Sequence, residues 1–159
     1  MAFDPGYQPD DIDWMILDAL QEDARQSYTS IGQQIGLSRP AIAERIKRLE
    51  DVGIISAYRA VIDPEKLGFN MTAFIRMNTN KREDTAKLTE ILLDMPEVQQ
   101  CFRGTGGDCF TIQVRVGSIK HLDRVLEQIR DYGNPTTTIM LASLLEYRKL
   151  TRQMSENLG

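Results

Sequence analysis

Long apolar runs are missing from this sequence. The longest is about four residues, as at residues 139–142, far below the roughly 18 that a membrane-spanning helix needs. The first ten residues carry acids and prolines instead of a basic segment followed by an apolar stretch, so no secretion signal is predicted. We therefore expect a cytoplasmic protein with no membrane partner.

Cysteine and histidine are scarce as well. The two cysteines, Cys101 and Cys109, are too few for a disulfide framework, and with His121 as the single histidine they make a poor zinc set. The sequence also has no Gly-x-Ser-x-Gly elbow and no evident pairing of a nucleophile with a base. We expect reduced, mostly buried thiols, a surface or helix-start role for His121, and no catalytic residue, metal or cofactor.

Positive charge is absent from the first 24 residues, which hold seven acids, and the whole chain has a net charge of −4. The balance reverses over residues 25–59, where six bases face three acids. Because phosphate binding favours a basic surface, this local reversal allows an otherwise acidic protein to bind DNA, with modest non-specific affinity and strong salt dependence.

Three helices are predicted before residue 54, and the second and third form a helix-turn-helix at about residues 28–47. Asp10 or Asp11 can cap the first helix, Gly36 ends the second, and Ser38 and Pro40 suit the start of the third. The apolar positions recur at helical spacing: Ile12, Ile16 and Leu20; Ile31 and Ile35; Ile42, Ile46 and Leu49. Residues 54–62 are β-rich and predict a short strand or wing.

The periodicity changes after Gly68 and indicates a second domain. Alternating segments at residues 71–77, 98–103, 110–116 and 136–145 predict strands, and the helical spacing of residues 88–95 and 122–129 predicts two helices between them. The order βαββαβ is the ferredoxin-like arrangement. We therefore expect an α+β protein with a DNA-binding domain at residues 1–63 and a ferredoxin-like domain at residues 64–159.

The fourth predicted strand suggests how the chain assembles. Two helices cover one face of a four-stranded sheet, yet residues 139–145 are apolar on both faces of that strand, so the helix-free face needs cover. We predict a homodimer packed sheet against sheet. The alternative is that the N-terminal domain of the same chain covers that face.

A set of residues at fixed spacing resembles the Lrp/AsnC (leucine-responsive and asparagine-regulator) family of transcriptional regulators. These residues are Ile12, Asp13, Ile16, Leu17, Leu20, Asp23, Ala24 and Arg25, then Ile35, Gly36, Leu37 and Ser38, then Arg45, Ile46, Leu49, Glu50, Gly53, Ile54 and Ile55, and finally Tyr58 and Ala60. The resemblance implies a winged helix-turn-helix, dimers that often assemble into octamers, and an amino acid or related metabolite as effector. The alternative function is a sensing or assembly protein whose helix-turn-helix no longer binds DNA.

The third helix carries the predicted DNA contacts, because a recognition helix buries one stripe and offers the other to the major groove. The predicted DNA-binding residues are Ser38, Arg39, Pro40, Ala41, Glu44, Lys47 and Arg48. Arg45 lies at the edge of the buried stripe, and we expect an acidic residue such as Asp13 or Asp23 to hold it in a structural role; the alternative is direct DNA contact. Tyr58 and Arg59 either touch phosphates or pack the hinge.

The glycine-rich turn at residues 104–108 is the predicted effector site. A Gly-x-Gly-x-x-Gly nucleotide fingerprint would need a glycine at Cys109, so that interpretation is disfavoured. In the resembled family the turn reads Thr/Ser-Gly-x-x-Asp, and here Cys109 takes the place of the aspartate while Asp108 precedes it. The predicted effector-binding residues are Gly106, Gly107, Asp108, Thr137 and Thr138, and the alternative is a purely structural turn.

Overall fold

The computed structural model describes residues 6–105, 109–145 and 147–156, and the chain forms two compact units. The first unit comprises the described residues up to Ala60 and those from Leu145 onward, and the second spans Val61–Leu144. The predicted domain boundary at residues 63 and 64 stays a prediction. The return of the chain to the first unit was not anticipated from the sequence.

The N-terminal part of the first unit contains three helices: α1 (Asp11–Glu22), α2 (Tyr28–Ile35) and α3 (Arg39–Asp51). Each begins at a side chain that accepts a hydrogen bond from the backbone of its first turn, which satisfies an amide that lacks a partner inside the helix. Asp10 caps α1 in a capping box with Asp13, Ser27 caps α2, and Ser38 caps α3 as predicted.

The turn between α2 and α3 depends on two glycines. Gly36 ends α2 with φ of 81°, a left-handed conformation that favours glycine. Gly32 lies against the turn, where an added Cβ would be 2.5 Å from the Leu37 carbonyl oxygen. The three helices then bury one apolar cluster formed by Ile16, Leu17, Leu20, Ile31, Ile42, Ile46 and Leu49. The helix-turn-helix expected from the sequence is confirmed.

The predicted strand or wing at residues 54–62 is wrong for the single chain. The described residues of the first unit contain no strand, and the segment after α3 has neither helix nor ladder. Val61 is 95% exposed and Ile62 is also exposed. A strand needs a neighbour to take its backbone hydrogen bonds, and none of the described residues pairs with this segment in a ladder. A short helix, Arg152–Glu156, lies in the C-terminal part of the first unit.

The second unit has the predicted βαββαβ order. Its elements are β1 (Met71–Met77), α4 (Asp84–Asp94), β2 (Val98–Arg103), β3 (Phe110–Val116), α5 (Ile119–Ile129) and β4 (Thr136–Ile139). The strands lie in the order β2-β3-β1-β4, and every pairing is antiparallel. This antiparallel sheet with helices matches the fold class predicted from the sequence.

The core of the second unit lies between the sheet and its two helices. Alternate residues of β1 and β3 are buried there, with the apolar stripes of α4 and α5 against them: Ala73, Ile75, Met77, Phe110, Ile112, Val114, Val116, Leu88, Leu92, Leu122, Val125 and Ile129. Of the two thiols predicted to be mostly buried, Cys109 is half-buried and Cys101, on edge strand β2, is exposed. None of the described helices is long and apolar enough to cross a membrane.

The fourth strand is shorter than predicted, because β4 ends at Ile139 instead of reaching residue 145. Leu141 and Leu144 are 97% and 99% exposed on an extended segment outside the sheet. The expectation that this strand is apolar on both faces is therefore wrong beyond Ile139. The exposed aliphatic side chains of Leu141 and Leu144 thus lie on the segment that follows the sheet, not on a strand.

Candidate DNA-binding surface and effector turn

Helix α3 divides the predicted DNA-binding residues from the core. Ile42, Ile46 and Leu49 have no exposed surface, so the opposite side of the helix faces solvent. The predicted residues on that side or at the N-terminal tip are Ser38, Arg39, Pro40, Glu44, Lys47 and Arg48, all exposed, and Ala41, half-buried. The helix thus presents these side chains together, as a recognition helix requires.

The cations on this surface differ in their partners. Arg48 lies 3.8 Å from the Glu44 carboxylate, one helical turn away. Within the described residues, Arg39 and Lys47 have no ion-pair partner. The Ser38 hydroxyl oxygen accepts a hydrogen bond from the Ala41 amide at 3.4 Å, which leaves its hydrogen available to an acceptor. Arg39 and Lys47 are therefore the cations best placed to meet phosphate or base acceptors.

Arg45 has the structural role expected of it. Its guanidinium donates to Asp13 Oδ1 and to Asp10 Oδ2, both at 2.8 Å, which links the start of α1 to the middle of α3. Asp13 is fully buried and also accepts from the Tyr7 hydroxyl at 2.6 Å. Asp13, not Asp23, is the predicted partner that the structure selects, and Asp10 is a second partner that was not predicted.

The ionisable groups of this network shift one another's pKa values. The pKa of Asp10 is lowered, first by the Asp13 amide that donates to it and then by Arg45. The pKa of Arg45 is raised by its bonds to Asp10 and Asp13. Burial, followed by the bond to Asp13, raises the pKa of the Tyr7 hydroxyl. The lowered pKa of Asp10 and the raised pKa of Arg45 both favour the charged pair that joins α1 to α3.

Tyr58 belongs to the hinge more than to a free phosphate-binding surface. Its hydroxyl donates to Glu50 Oε1 at 2.8 Å, and the ring is 48% exposed. Burial, followed by this hydrogen bond, raises the pKa of the hydroxyl. Of the two roles left open for this pair, the contact favours hinge packing for Tyr58. Arg59 remains exposed.

The C-terminal segment of the chain contributes contacts that the sequence reasoning missed. Residues 147–152, called the C-terminal clasp below, lie along α1 and bond to Asp11, Asp18, Gln21 and Glu22. A signal was present in the charges: residues 147–152 contain three bases and no acid, whereas residues 1–24 contain seven acids and no base.

The predicted effector turn is only partly described. Gly106, Gly107 and Asp108 lie outside the described residues, so their ligand role stays a prediction. The Gly104 amide donates to the Cys109 carbonyl at 3.0 Å and closes the β2–β3 hairpin. The Cys109 amide donates to Asn78 Oδ1 at 2.8 Å. Cys109, at the position where the resembled family has aspartate, therefore ties the hairpin to the end of β1.

The other predicted effector residues, Thr137 and Thr138, are neighbours on β4 that point to opposite faces of the sheet. Thr137 is opposite Ile75, on the core side, and Thr138 is opposite Phe74. Both stay predicted effector residues, but they do not converge on one surface.

An arginine on the helix-free face was missed by the sequence reasoning. Arg76 is exposed and lies between Thr111 of β3 and Thr136 of β4 in the strand register. It occupies the end of the sheet that carries the β2–β3 hairpin, because Met77 is opposite Phe110. A guanidinium flanked by hydroxyls suits a carboxylate.

His121 lies in the first turn of α5, as expected. Its amide donates to the Ser118 hydroxyl at 3.2 Å, and its Nε2 lies 2.8 Å from Glu97 Oε1. This bond to His121 is the main reason that the pKa of Glu97 is lowered. Among the described residues, no group of three or more His, Cys, Asp or Glu side chains could hold a metal ion.

Known families match both units. Residues 10–50 match the family model of the AsnC-type helix-turn-helix domain, and residues 72–150 match that of the Lrp/AsnC ligand binding domain. The HTH-type transcriptional regulator LrpB of Bacillus subtilis is 36% identical over 129 residues, which is 80% of this chain and 85% of that protein.

Solved structures agree with these matches. AsnC of E. coli is 28% identical with a TM-score of 0.82, and the alignment covers 89% of this chain and 98% of that one. Transcriptional regulator NMB0573 of Neisseria meningitidis, solved in complex with L-methionine, is 25% identical with a TM-score of 0.85 and covers 92% of this chain and 99% of its own.

Proposed function

The chain belongs to the Lrp/AsnC family of transcriptional regulators, and from that premise we propose that α3 reads operator DNA while the second unit senses an amino acid. The observation that carries the proposal is the exposed side of α3. Two of its cations, Arg39 and Lys47, have no ion-pair partner among the described residues, and both lie on the helix whose opposite stripe is buried. A duplex supplies the missing anions.

The proposed contacts divide by position. Ser38 and Arg39 meet backbone phosphates at the N-terminal end of the helix, where the helix dipole favours negative charge. Pro40 and Ala41 beside them carry small side chains that permit close approach of the duplex. Glu44, Lys47 and the flanking Arg48 face base edges in the major groove. A regulator with this task works in the cytoplasm, where its operators are.

A salt titration tests this assignment. Genomic fragments enriched by the purified protein, with the chain's own upstream region as first candidate, are titrated at several salt concentrations. Lys47→Ala and Arg39→Ala should each weaken binding and reduce the slope of log affinity against log salt by about one. Lys66→Ala is the matched control, because it removes the same charge from a lysine that lies in the second unit.

Three results would count against the proposal. One is wild-type affinity and salt slope in a folded Arg39→Ala, Lys47→Ala double variant. Another is an equal loss in the Lys66→Ala control. The third is an absence of salt-sensitive, sequence-selective binding by the wild-type protein, which would favour a sensing or assembly protein without DNA binding.

We further propose that the chain works as a homodimer. The exposed aliphatic residues Val61, Ile62, Leu141 and Leu144 flank the two points where the chain passes from one unit to the other. Exposed apolar side chains of this kind mark protein interaction sites, and a dimer gives operators with two-fold symmetry. Sedimentation of Leu141→Glu, Leu144→Glu should show monomers, whereas Leu67→Glu, at another exposed leucine, should stay dimeric. A monomeric wild-type protein would refute the dimer. The octamer stays a prediction.

The effector is proposed to be an amino acid or a related metabolite. Support comes from the ligand binding family model over residues 72–150 and from the L-methionine complex of the Neisseria relative. Calorimetric titration with the common amino acids tests the proposal, and binding of none of them would contradict it. Asp108→Ala and Arg76→Ala should weaken binding if the turn supplies an ammonium partner and β1 a carboxylate partner. Unchanged binding in either variant removes that residue from the site.

A further inference from the structure

The chain enters the first unit twice. It leaves this unit after Ala60, forms the second unit, and returns at Leu145. The ligand binding family model extends to residue 150, so its last residues pack with the DNA-binding helices. The C-terminal clasp is therefore the direct continuation of β4 and of the exposed segment that follows it.

Gln21 of α1 holds the backbone of the clasp. Its amide nitrogen donates to the Leu150 carbonyl at 3.0 Å, and its amide oxygen accepts from the Leu150 amide at 2.9 Å. The same oxygen accepts from the Tyr147 hydroxyl at 3.0 Å. One side chain thus satisfies both backbone groups of Leu150, as a neighbouring strand would. This pairing fixes the register of the clasp on the helix.

Ion pairs hold the clasp on both sides of Leu150. Lys149 Nζ lies 3.1 Å from Asp18 and 2.5 Å from Glu22, and Arg152 pairs with Asp11 near the start of α1. The pKa of the Lys149 ammonium is raised, first by Glu22 and then by Asp18. Lys149 also lines a cleft of about 310 Å³ along α1, with Met15 and Ile35 among its apolar walls. The acidic side chains of α1 therefore complement the basic side chains of the clasp.

Helix α1 in turn is fixed to the recognition helix. Asp13 and Asp10 at its N-terminal end bind Arg45 of α3, each at 2.8 Å. A change in the clasp therefore reaches α3 through one helix and one buried carboxylate. These contacts all lie within the first unit.

We propose that the C-terminal clasp is a releasable link through which the ligand binding domain controls the order of the DNA-binding helices. The inference rests on the proposed DNA-binding function for its biological meaning. Its physical part is independent of that function: the docked clasp holds α1 and α3 in order, and its release loosens both. Because the ion pairs are largely exposed, rising ionic strength favours release.

The test is a charge reversal with a matched control and a rescue, measured on the full-length protein by hydrogen exchange. Lys149→Glu places a carboxylate beside Asp18 and Glu22. We expect the Leu150 amide to exchange at least about tenfold faster and the amides of α1 and α3 to exchange faster as well. Arg148→Glu makes the same charge reversal at an exposed neighbour that has no ion pair among the described residues, and its exchange should match that of the wild type. Lys149→Glu combined with Asp18→Lys, Glu22→Lys should restore slow exchange.

Operator affinity is measured on the same variants. We expect Lys149→Glu to bind at least threefold more weakly than Arg148→Glu, since both variants carry the same net charge and only the first breaks the ion pairs with Asp18 and Glu22. Equal Leu150 exchange in the two variants would overturn the docking. Faster Leu150 exchange with unchanged α3 exchange and unchanged operator affinity would overturn the control of α3. If the wild-type protein binds no operator, the proposed function fails, and the exchange of α3 alone decides the inference.

Discussion

Arg45→Met is expected to destabilise the first unit by about 3 kcal/mol. The change leaves Asp13, which is fully buried, without the guanidinium 2.8 Å from its carboxylate. Removing one partner of a buried pair costs about 3–5 kcal/mol because a buried charge is left unpaired. The lower end applies here, since 22% of the Arg45 side chain reaches water and the Tyr7 hydroxyl still donates to Asp13. A unit of 75 residues is stable by roughly 4–11 kcal/mol, so this loss is a large share of its stability.

The chain carries its own probe for this measurement. Trp14 is its single tryptophan and packs against the core of the first unit. Urea unfolding followed by Trp14 fluorescence therefore reports this unit. With a slope of about 1.5 kcal/mol/M, the midpoint of Arg45→Met should fall by roughly 2 M. Arg48→Met is the control, because its 3.8 Å pair with Glu44 is exposed and such pairs contribute about 0–0.5 kcal/mol.

The effect of Arg45→Met should also depend on pH. Arg45 helps to lower the folded-state pKa of Asp10 below its ordinary value of 3.8. A lowered pKa contributes stability above the unfolded pKa and loses it as the pH falls through the folded pKa. The difference in the free energy of unfolding between wild type and Arg45→Met should therefore be largest above about pH 5 and should become smaller below about pH 4. A midpoint for Arg45→Met within experimental error of Arg48→Met at pH 7 would refute the structural role of Arg45.

Three further changes test the packing and capping described above. Gly32→Ala places a Cβ 2.5 Å from the Leu37 carbonyl oxygen; we expect a loss of about 1–3 kcal/mol in the Trp fluorescence transition, and an unchanged midpoint would contradict the tight turn. Gly133→Ala places a Cβ 1.9 Å from the Asn78 carbonyl oxygen; the clash should cost about 2 kcal/mol or more, read from amide exchange of the second unit. Ser38→Ala removes the α3 cap and should cost about 1 kcal/mol, whereas Ser38→Asp should retain most of it.

Local signals explain why most of the fold could be predicted. Ile42, Ile46 and Leu49 recur at helical spacing, and Ser38 supplies a cap, so α3 follows from short-range chemistry. Met77 and its alternating neighbours in β1 are buried as their period of two requires. The strand predictions for residues 54–62 and 140–145 were wrong for another reason. Their composition favours strands, but a strand also requires a partner, and composition does not say whether the partner lies in the same chain.

The candidate DNA-binding residues also divide into those that a local pattern predicts and those that depend on packing between helices. The exposed side of α3 follows from the phase of its buried stripe, so its residues could be named from the sequence. For Arg45 the sequence suggested an acidic partner such as Asp13 or Asp23. The structure shows Asp13 together with Asp10, because the packing of α1 against α3 brings both of these carboxylates to the guanidinium.

The C-terminal clasp could not be predicted from periodicity. It binds α1 through the Lys149 side chain and through backbone contacts to Gln21, and neither kind of contact produces a repeating pattern of buried apolar residues. Its signal was complementary charge between distant parts of the chain, which becomes informative only when the topology brings the ends together. That dependence has a physical consequence. The clasp contacts join residues that are far apart in the chain, so they depend on the path of the chain through the second unit as well as on local structure. A regulator that must respond to a ligand in its second unit needs contacts of this kind beside the helices that read DNA.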